Sequence, residues 1–155
     1  MEWLLDLVSS IIIESKKLEK TKVLITFVFL YDIMRKKEKN TMIYKMRLLE
    51  KPFNQIKSRV KVMELRLYDE KRKQLKIGDT IRFYCLPEEK EWIETEIIGL
   101  IHYPSFEKLF DIIDYNLSGP TESKQKKLEG IHTIYTPEQE KENGVLGIHI
   151  SLLTN

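Results

Sequence analysis

From Val62 to Tyr68 the chain alternates with period two. Met63, Leu65 and Leu67 fall on one face, and Val62, Glu64, Arg66 and Tyr68 fall on the other. This pattern predicts a β-strand with one core face and one charged face. Similar but shorter patterns predict strands over Met42–Leu49, Thr80–Cys85, Trp92–Ile101 and Val145–Leu153. Between them lie short helices. Pro52–Lys57 turns Phe53 and Ile56 inward, Phe106–Ile113 follows Ser105 as N-cap, and Thr136-Pro137 opens a helix that Asn143-Gly144 ends. Asp69–Leu75 reads as a turn or a single helical turn, and Ile77-Gly78-Asp79 as a tight turn. The polar, Gly- and Pro-containing stretch Asn116–Lys127 reads as a long loop.

The first forty-one residues follow a different rule. Trp3, Leu4, Leu7, Val8, Ile11, Ile12 and Leu18 form a stripe at helical spacing, and Lys16, Lys17 and Lys20 stand near its end. Val23–Met34 is very apolar; its length favours helix, and its β-branched and aromatic content favours strand. As a helix it would span only ~18 Å against a hydrocarbon core of ~30 Å, so no membrane span is expected. The acidic amphipathic stretch before it and the lack of a small-residue cleavage site also argue against a secretory signal. The pattern therefore divides the chain into an N-terminal helical extension, residues 1–41, and one mixed domain, residues 42–155. The fold class expected is α+β: a small mixed β-barrel with short helices packed around it.

Charge sharpens this picture. The net charge of the whole chain is only +2, but it is unevenly spread. Lys and Arg against Asp and Glu number 8 to 6 over Met1–Thr41, 12 to 5 over Met42–Arg82 and 6 to 13 over Phe83–Asn155. The middle is thus +7, which suits a polyanion such as RNA if the residues share a surface once folded. A single cysteine, Cys85, excludes an internal disulfide and fits a reducing, cytoplasmic setting. His102, His132 and His149 lie apart without ligand spacing, so neither a metal nor a cofactor is expected. No phosphate-cradling glycine loop, Gly-x-Ser-x-Gly elbow or His-Glu-x-x-His helix is present.

The candidate chemistry gathers around the charged strand face. Glu64 and Arg66 are two residues apart, about 7 Å along one strand face. Lys61 stands just before them, and Asp69, Lys71 and Arg72 just after. Arg66 offers a planar fork for phosphate or a base edge, and Tyr68 and Tyr135 offer stacking surface. The plain alternative is an internal ion pair that closes the barrel, followed by a solvated turn.

Three segments together carry a family resemblance: MIYKMRLLEKPFNQIKSRVKVMELRLYDEKRKQLKIGDTIRF, then ETEIIGLIHYPSFEKLF, then IYTPEQEKENGVLGIHI. In that order they resemble the ASCH domain, a small barrel of the PUA-like superfamily, over Met42–Leu152. The resemblance implies a cleft at one barrel mouth that binds RNA or a nucleotide-like ligand, and the charge and ring chemistry around the strand makes Lys61, Glu64, Arg66, Tyr68, Asp69, Arg72 and Tyr135 the expected ligand-binding residues. Some compact relatives hydrolyse the amide of acetylcytidine, using a lysine in a Gly-x-Lys-Thr segment, a nearby threonine and a downstream glutamate. Lys61 stands where that lysine would be, whereas Arg59, Val62 and Glu64 replace the glycine and the two threonines. An amidohydrolase using Lys61 as base with Glu64 as partner is therefore the alternative. A third reading is a protein-interaction module that recruits a partner through residues 1–34.

Overall fold

The computed structural model describes residues 41–153. The expected extension lies outside the described residues up to position 40, and with it the apolar run Val23–Met34. Five strands form one mixed sheet: β1 (Ile43–Leu48), β2 (Met63–Leu67), β3 (Thr80–Cys85), β4 (Trp92–Tyr103) and β5 (Val145–Leu152). Their order is β1-β3-β4-β5-β2, with β1 parallel to β3 and every other pairing antiparallel. Four helices pack on this curled half-barrel: α1 (Glu50–Lys57), α2 (Phe106–Leu109), α3 (Lys124–His132) and α4 (Pro137–Asn143).

Two apolar clusters sandwich the sheet. Inside the curl, Met46 and Leu48 of β1 meet Phe53 and Ile56 of α1, Ile81 and Phe83 of β3, Ile97 of β4, and Leu146, Ile148 and Ile150 of β5. On the outer side Met63 and Leu65 of β2 and Val145 of β5 pack against Phe106, Leu109, Phe110, Leu128 and Ile131. The alternation of β2 and β5 thus serves two cores, one per face. Gly147 lets the outer helices close on β5. A Cβ there would stand 2.8 Å from both Ile101 Cγ2 and Met63 Sδ.

The predicted capping is present. Ser105 Oγ accepts from Lys108 N at 3.2 Å, and Thr136 with Gln139 completes a reciprocal capping box ahead of Pro137. α1 begins two residues earlier than expected, with Pro52 in its first turn, where a missing N–H costs no helical bond. α2 ends at Leu109 and continues as turns to Ile113.

One expectation fails. Asn116–Lys127 is not a continuous loop: Tyr115–Ser118 forms a 3-10 turn and α3 begins at Lys124, with Ser123 Oγ accepting from Lys126 N as its cap. The helix escaped notice because only Leu128 and Ile131 of its nine residues are buried. So thin a stripe makes no visible period in a polar sequence.

The turn between β2 and β3 is built by its own side chains. Asp69 accepts from Arg72 N at 3.0 Å and from Arg72 Nη1 at 2.7 Å. Asp79 is buried and accepts from Lys76 N and Met42 N, so the Gly-Asp pair ties the start of β1 to the start of β3.

Candidate functional site

The charged face of β2 points into the barrel. Glu64 is paired in register with Ile148 and Arg66 with Leu146, both inner-core residues, and paired residues of an antiparallel ladder share a face. Glu64 is therefore almost fully buried, at 4% exposure. Its Oε2 lies 2.8 Å from Lys61 Nζ and its Oε1 lies 3.1 Å from Arg66 Nε. These are ion pairs by distance, yet neither is a well-directed hydrogen bond, and Glu64 Oε2 and Arg66 Nε are both buried without a hydrogen-bond partner among the described residues. Burial acts to raise the Glu64 carboxyl, but Lys61 and Arg66 more than offset it and hold the group below its ordinary range. Burial likewise opposes the Arg66 guanidinium, and Glu64, Tyr135 and Asp69 together keep it firmly charged.

Lys61 reaches Glu64 through a bend. Lys61 N and Val62 N donate to Gln55 O and Leu117 O rather than to β5, and the Val62 carbonyl, accepting from Ile150 N at 2.9 Å, is where the chain first meets that strand. Strict alternation would place Lys61 on the Met63 face; the bend brings its ammonium to Glu64 instead. Arg59 prepares that bend with φ of 61°, the left-handed region that favours glycine after a helix C-terminus.

β1 and β2 are the two edges of the sheet, and Arg66 spans the seam between them. Its Nη1 donates to Tyr135 Oη and its Nη2 to the Arg47 carbonyl of β1, each at 3.3 Å. A cleft of about 580 Å³ opens over this bridge, lined by Lys45, Met46, Arg47, Arg66, Lys71, Arg72, Tyr84 and Glu89. Five cationic side chains face one carboxylate, Glu89, which is held by Arg47 at 2.6 Å. Lys45 and Lys71 have no ion-pair partner among the described residues.

The residues singled out in the sequence thus divide. Arg66 and Arg72 line the cleft, and Asp69 orients Arg72 from behind. Lys61 and Glu64 lie buried beside it, and Tyr135 fixes Arg66 while stacking on Phe106. Tyr68 turns elsewhere, its ring 4.2 Å from that of His102. Lys45, Arg47 and Tyr84 were missed, because only the parallel pairing of β1 with β3 and the closing of the sheet edges bring them to Arg66. Their signal in the sequence was the basic excess of the middle segment.

A second hollow, of about 610 Å³, lies over the outer helices. Beside it Glu140, 5% exposed, accepts from Phe106 N at 2.9 Å and meets His132 Nε2 at 2.6 Å, fastening α2, α3 and α4 together. Cys85 is half-buried, and burial together with Glu50 and Glu91 pushes its thiol up, away from nucleophile behaviour. No group of histidines, cysteines and carboxylates among the described residues could hold a metal ion, and no described helix is long and apolar enough to cross a membrane.

Comparison with known proteins gives a consistent picture. The family model for the ASCH domain matches residues 46–154. The crystal structure of a hypothetical protein is 32% identical, covers 72% of this chain and 100% of its own, and superposes with a TM-score of 0.65. The solution structure of a protein from Pyrococcus furiosus is 32% identical over 74% of this chain and 100% of its own, with a TM-score of 0.60. The crystal structure of ASCH from Zymomonas mobilis shares the fold at 12% identity, covering 70% of this chain and 66% of its own with a TM-score of 0.52. Comparison with curated proteins gives no match.

Proposed function

The chain belongs to the ASCH domain family, and we propose that it binds RNA or a nucleotide-like ligand in the cleft over the β1–β2 seam. The observation that carries this reading is the lining itself: Lys45, Arg47, Arg66, Lys71 and Arg72 converge on one concavity with a single acid, Glu89. Such a surface attracts a phosphate backbone at long range and holds it by charge-assisted hydrogen bonds at short range. Arg66 is preset for that task, since Glu64, Tyr135 and the Arg47 carbonyl fix its plane before any ligand arrives. Tyr84 supplies a ring at the cleft wall on which a base can stack. The volume of about 580 Å³ lies within the range of small-molecule sites and suits one or two nucleotides better than a duplex.

Anisotropy of a labelled short single-stranded RNA tests the reading. The intact chain binds, and Arg72→Gln weakens binding several-fold across unrelated RNA sequences, as expected of a phosphate contact. Binding that is unchanged by Arg72→Gln places the ligand elsewhere.

The amidohydrolase alternative draws on the 2.8 Å approach of Lys61 to Glu64. Its weakness is access. The hollow of about 190 Å³ that reaches Lys61 has Arg59, Val62 and Ser151 in its wall but not Glu64. Acetylcytidine followed by its ultraviolet spectrum decides the matter: turnover lost in Lys61→Ala supports the alternative, and a flat trace rejects it.

A further inference from the structure

The outer layer covers only part of the sheet. Its helices pack on β2, β5 and the far end of β4, where Met63, Leu65, Val145, Ile101 and Tyr103 meet them. The outer face of β1, β3 and the first half of β4 joins neither apolar cluster, and its side chains are exposed or half-exposed. Strand pairing sets them in rows. Arg47 of β1 is paired with Tyr84 of β3, and Tyr84 with Trp92 of β4. The next row is Lys45, Arg82 and Glu94. Adjacent strands lie about 4.8 Å apart, so the Tyr84 and Trp92 rings are neighbours on one surface.

Trp92 is 41% exposed, an unusual setting for the largest apolar side chain. The Arg82 guanidinium carbon stands 4.4 Å from its ring centroid. Arg82 in turn donates from Nε and Nη2 to Glu94 Oε1, at 2.9 and 2.7 Å. Glu94 first, and then Tyr84, hold that guanidinium charged. Ring and cation are thus fixed against each other at the surface. The acids around them are already engaged: Glu94 by Arg82, Glu89 by Arg47, Glu88 by Lys90 and Glu91 by Lys57. Lys45, Arg47 and Tyr84 also line the cleft, which therefore runs onto this face without a break.

We propose that the outer face of β1, β3 and β4 continues the cleft as a track for single-stranded RNA, with Tyr84 and Trp92 each stacking one base and Lys45 and Arg47 meeting the phosphates between them. This track rests on the RNA reading of the cleft and extends it. A dinucleotide fills the cleft alone, whereas a longer strand also crosses the sheet. Exposed rings on an open sheet, with cations beside them, hold unpaired bases without regard to sequence, because every base has a π-face. A duplex, whose bases already stack on one another, offers these rings nothing.

The chain has two tryptophans, Trp3 and Trp92, so Trp92 reports alone in full-length Trp3→Phe. Octauridylate and diuridylate are titrated into that chain, with Trp92 fluorescence as one readout. Anisotropy of labelled octauridylate, with diuridylate as competitor, gives the affinities. Octauridylate should quench Trp92 and bind at least tenfold more tightly than diuridylate. Adding Trp92→Ala should weaken octauridylate binding about tenfold and leave diuridylate unchanged, and Trp92→Phe should restore most of the loss. Octauridylate binding that is equally tight in Trp92→Ala, or that leaves Trp92 fluorescence unchanged, overturns the track while the cleft reading stands. Trp92 shielded from iodide in the free chain also overturns it, since another segment or another copy then covers the face. Quenching and affinity that both survive Arg72→Gln support the track and sink the cleft reading, and no binding of either RNA overturns both.

Discussion

Glu64 Oε1 stands 3.1 Å from Arg66 Nε on the inner face of the barrel, so the charged side of β2 is neither solvated surface nor open floor but the support of the cleft. Lys61 holds the other carboxylate oxygen at 2.8 Å. Glu64→Gln keeps the shape and removes the charge, leaving Lys61 and Arg66 buried together without an anion. Breaking such a cluster costs about 3–5 kcal/mol, measured as a fall in the urea midpoint at pH 7.

The same residue makes a pH prediction. The folded carboxyl lies below its ordinary value of 4.5, so its stabilising contribution is fully present above that value and is lost as pH falls through the lower, folded value. Denaturant midpoints should therefore fall more steeply below pH 4.5 in the wild-type chain than in Glu64→Gln. Parallel acid limbs for the two proteins would mean that other carboxylates govern this range.

Arg59 occupies the left-handed region with φ of 61° at the exit of α1. A non-glycine residue there is strained by about 1 kcal/mol, partly offset by the lower chain entropy it loses on folding. Arg59→Gly should raise the thermal midpoint slightly, and Arg59→Val should lower it, at a cost in stability of more than about 1 kcal/mol, because a β-branched residue tolerates this region least. A glycine variant less stable than wild type by that amount would show that the arginine side chain contributes more than the backbone strain costs.

Gly147 is the contact point between β5 and the outer layer. A methyl group there meets Ile101 Cγ2 and Met63 Sδ at 2.8 Å, and Leu109 Cδ2 at 3.4 Å. Gly147→Ala should cost about 1–3 kcal/mol through overpacking, read in thermal unfolding, while RNA binding at temperatures well below the transition is unchanged. Loss of binding in a folded Gly147→Ala protein would couple the outer layer to the cleft.

The strands were legible because each follows period two over a face that must be buried; β1, β2, β3 and β5 fall within a residue or so of their expected bounds. The caps at Ser105 and Thr136 were legible for a local reason, since the side chain that accepts the helix N–H sits three residues from it. α3 was not legible, because it buries two side chains and its stability comes from packing rather than pattern. Within the site, Arg66 and Arg72 could be named from their neighbours in the sequence. Lys45, Arg47 and Tyr84 could not, for their place beside Arg66 depends on the two sheet edges meeting.

The most direct test of the central claim is the salt dependence of RNA binding by the intact chain. Plotted logarithmically from roughly 50 to 200 mM salt, the association constant for a short single strand should fall with a slope of about −3, as expected when about four cations displace counterions from phosphates. Arg72→Gln should make that slope shallower by about 0.7. A flat salt dependence, or no binding at the lowest salt, would contradict the account.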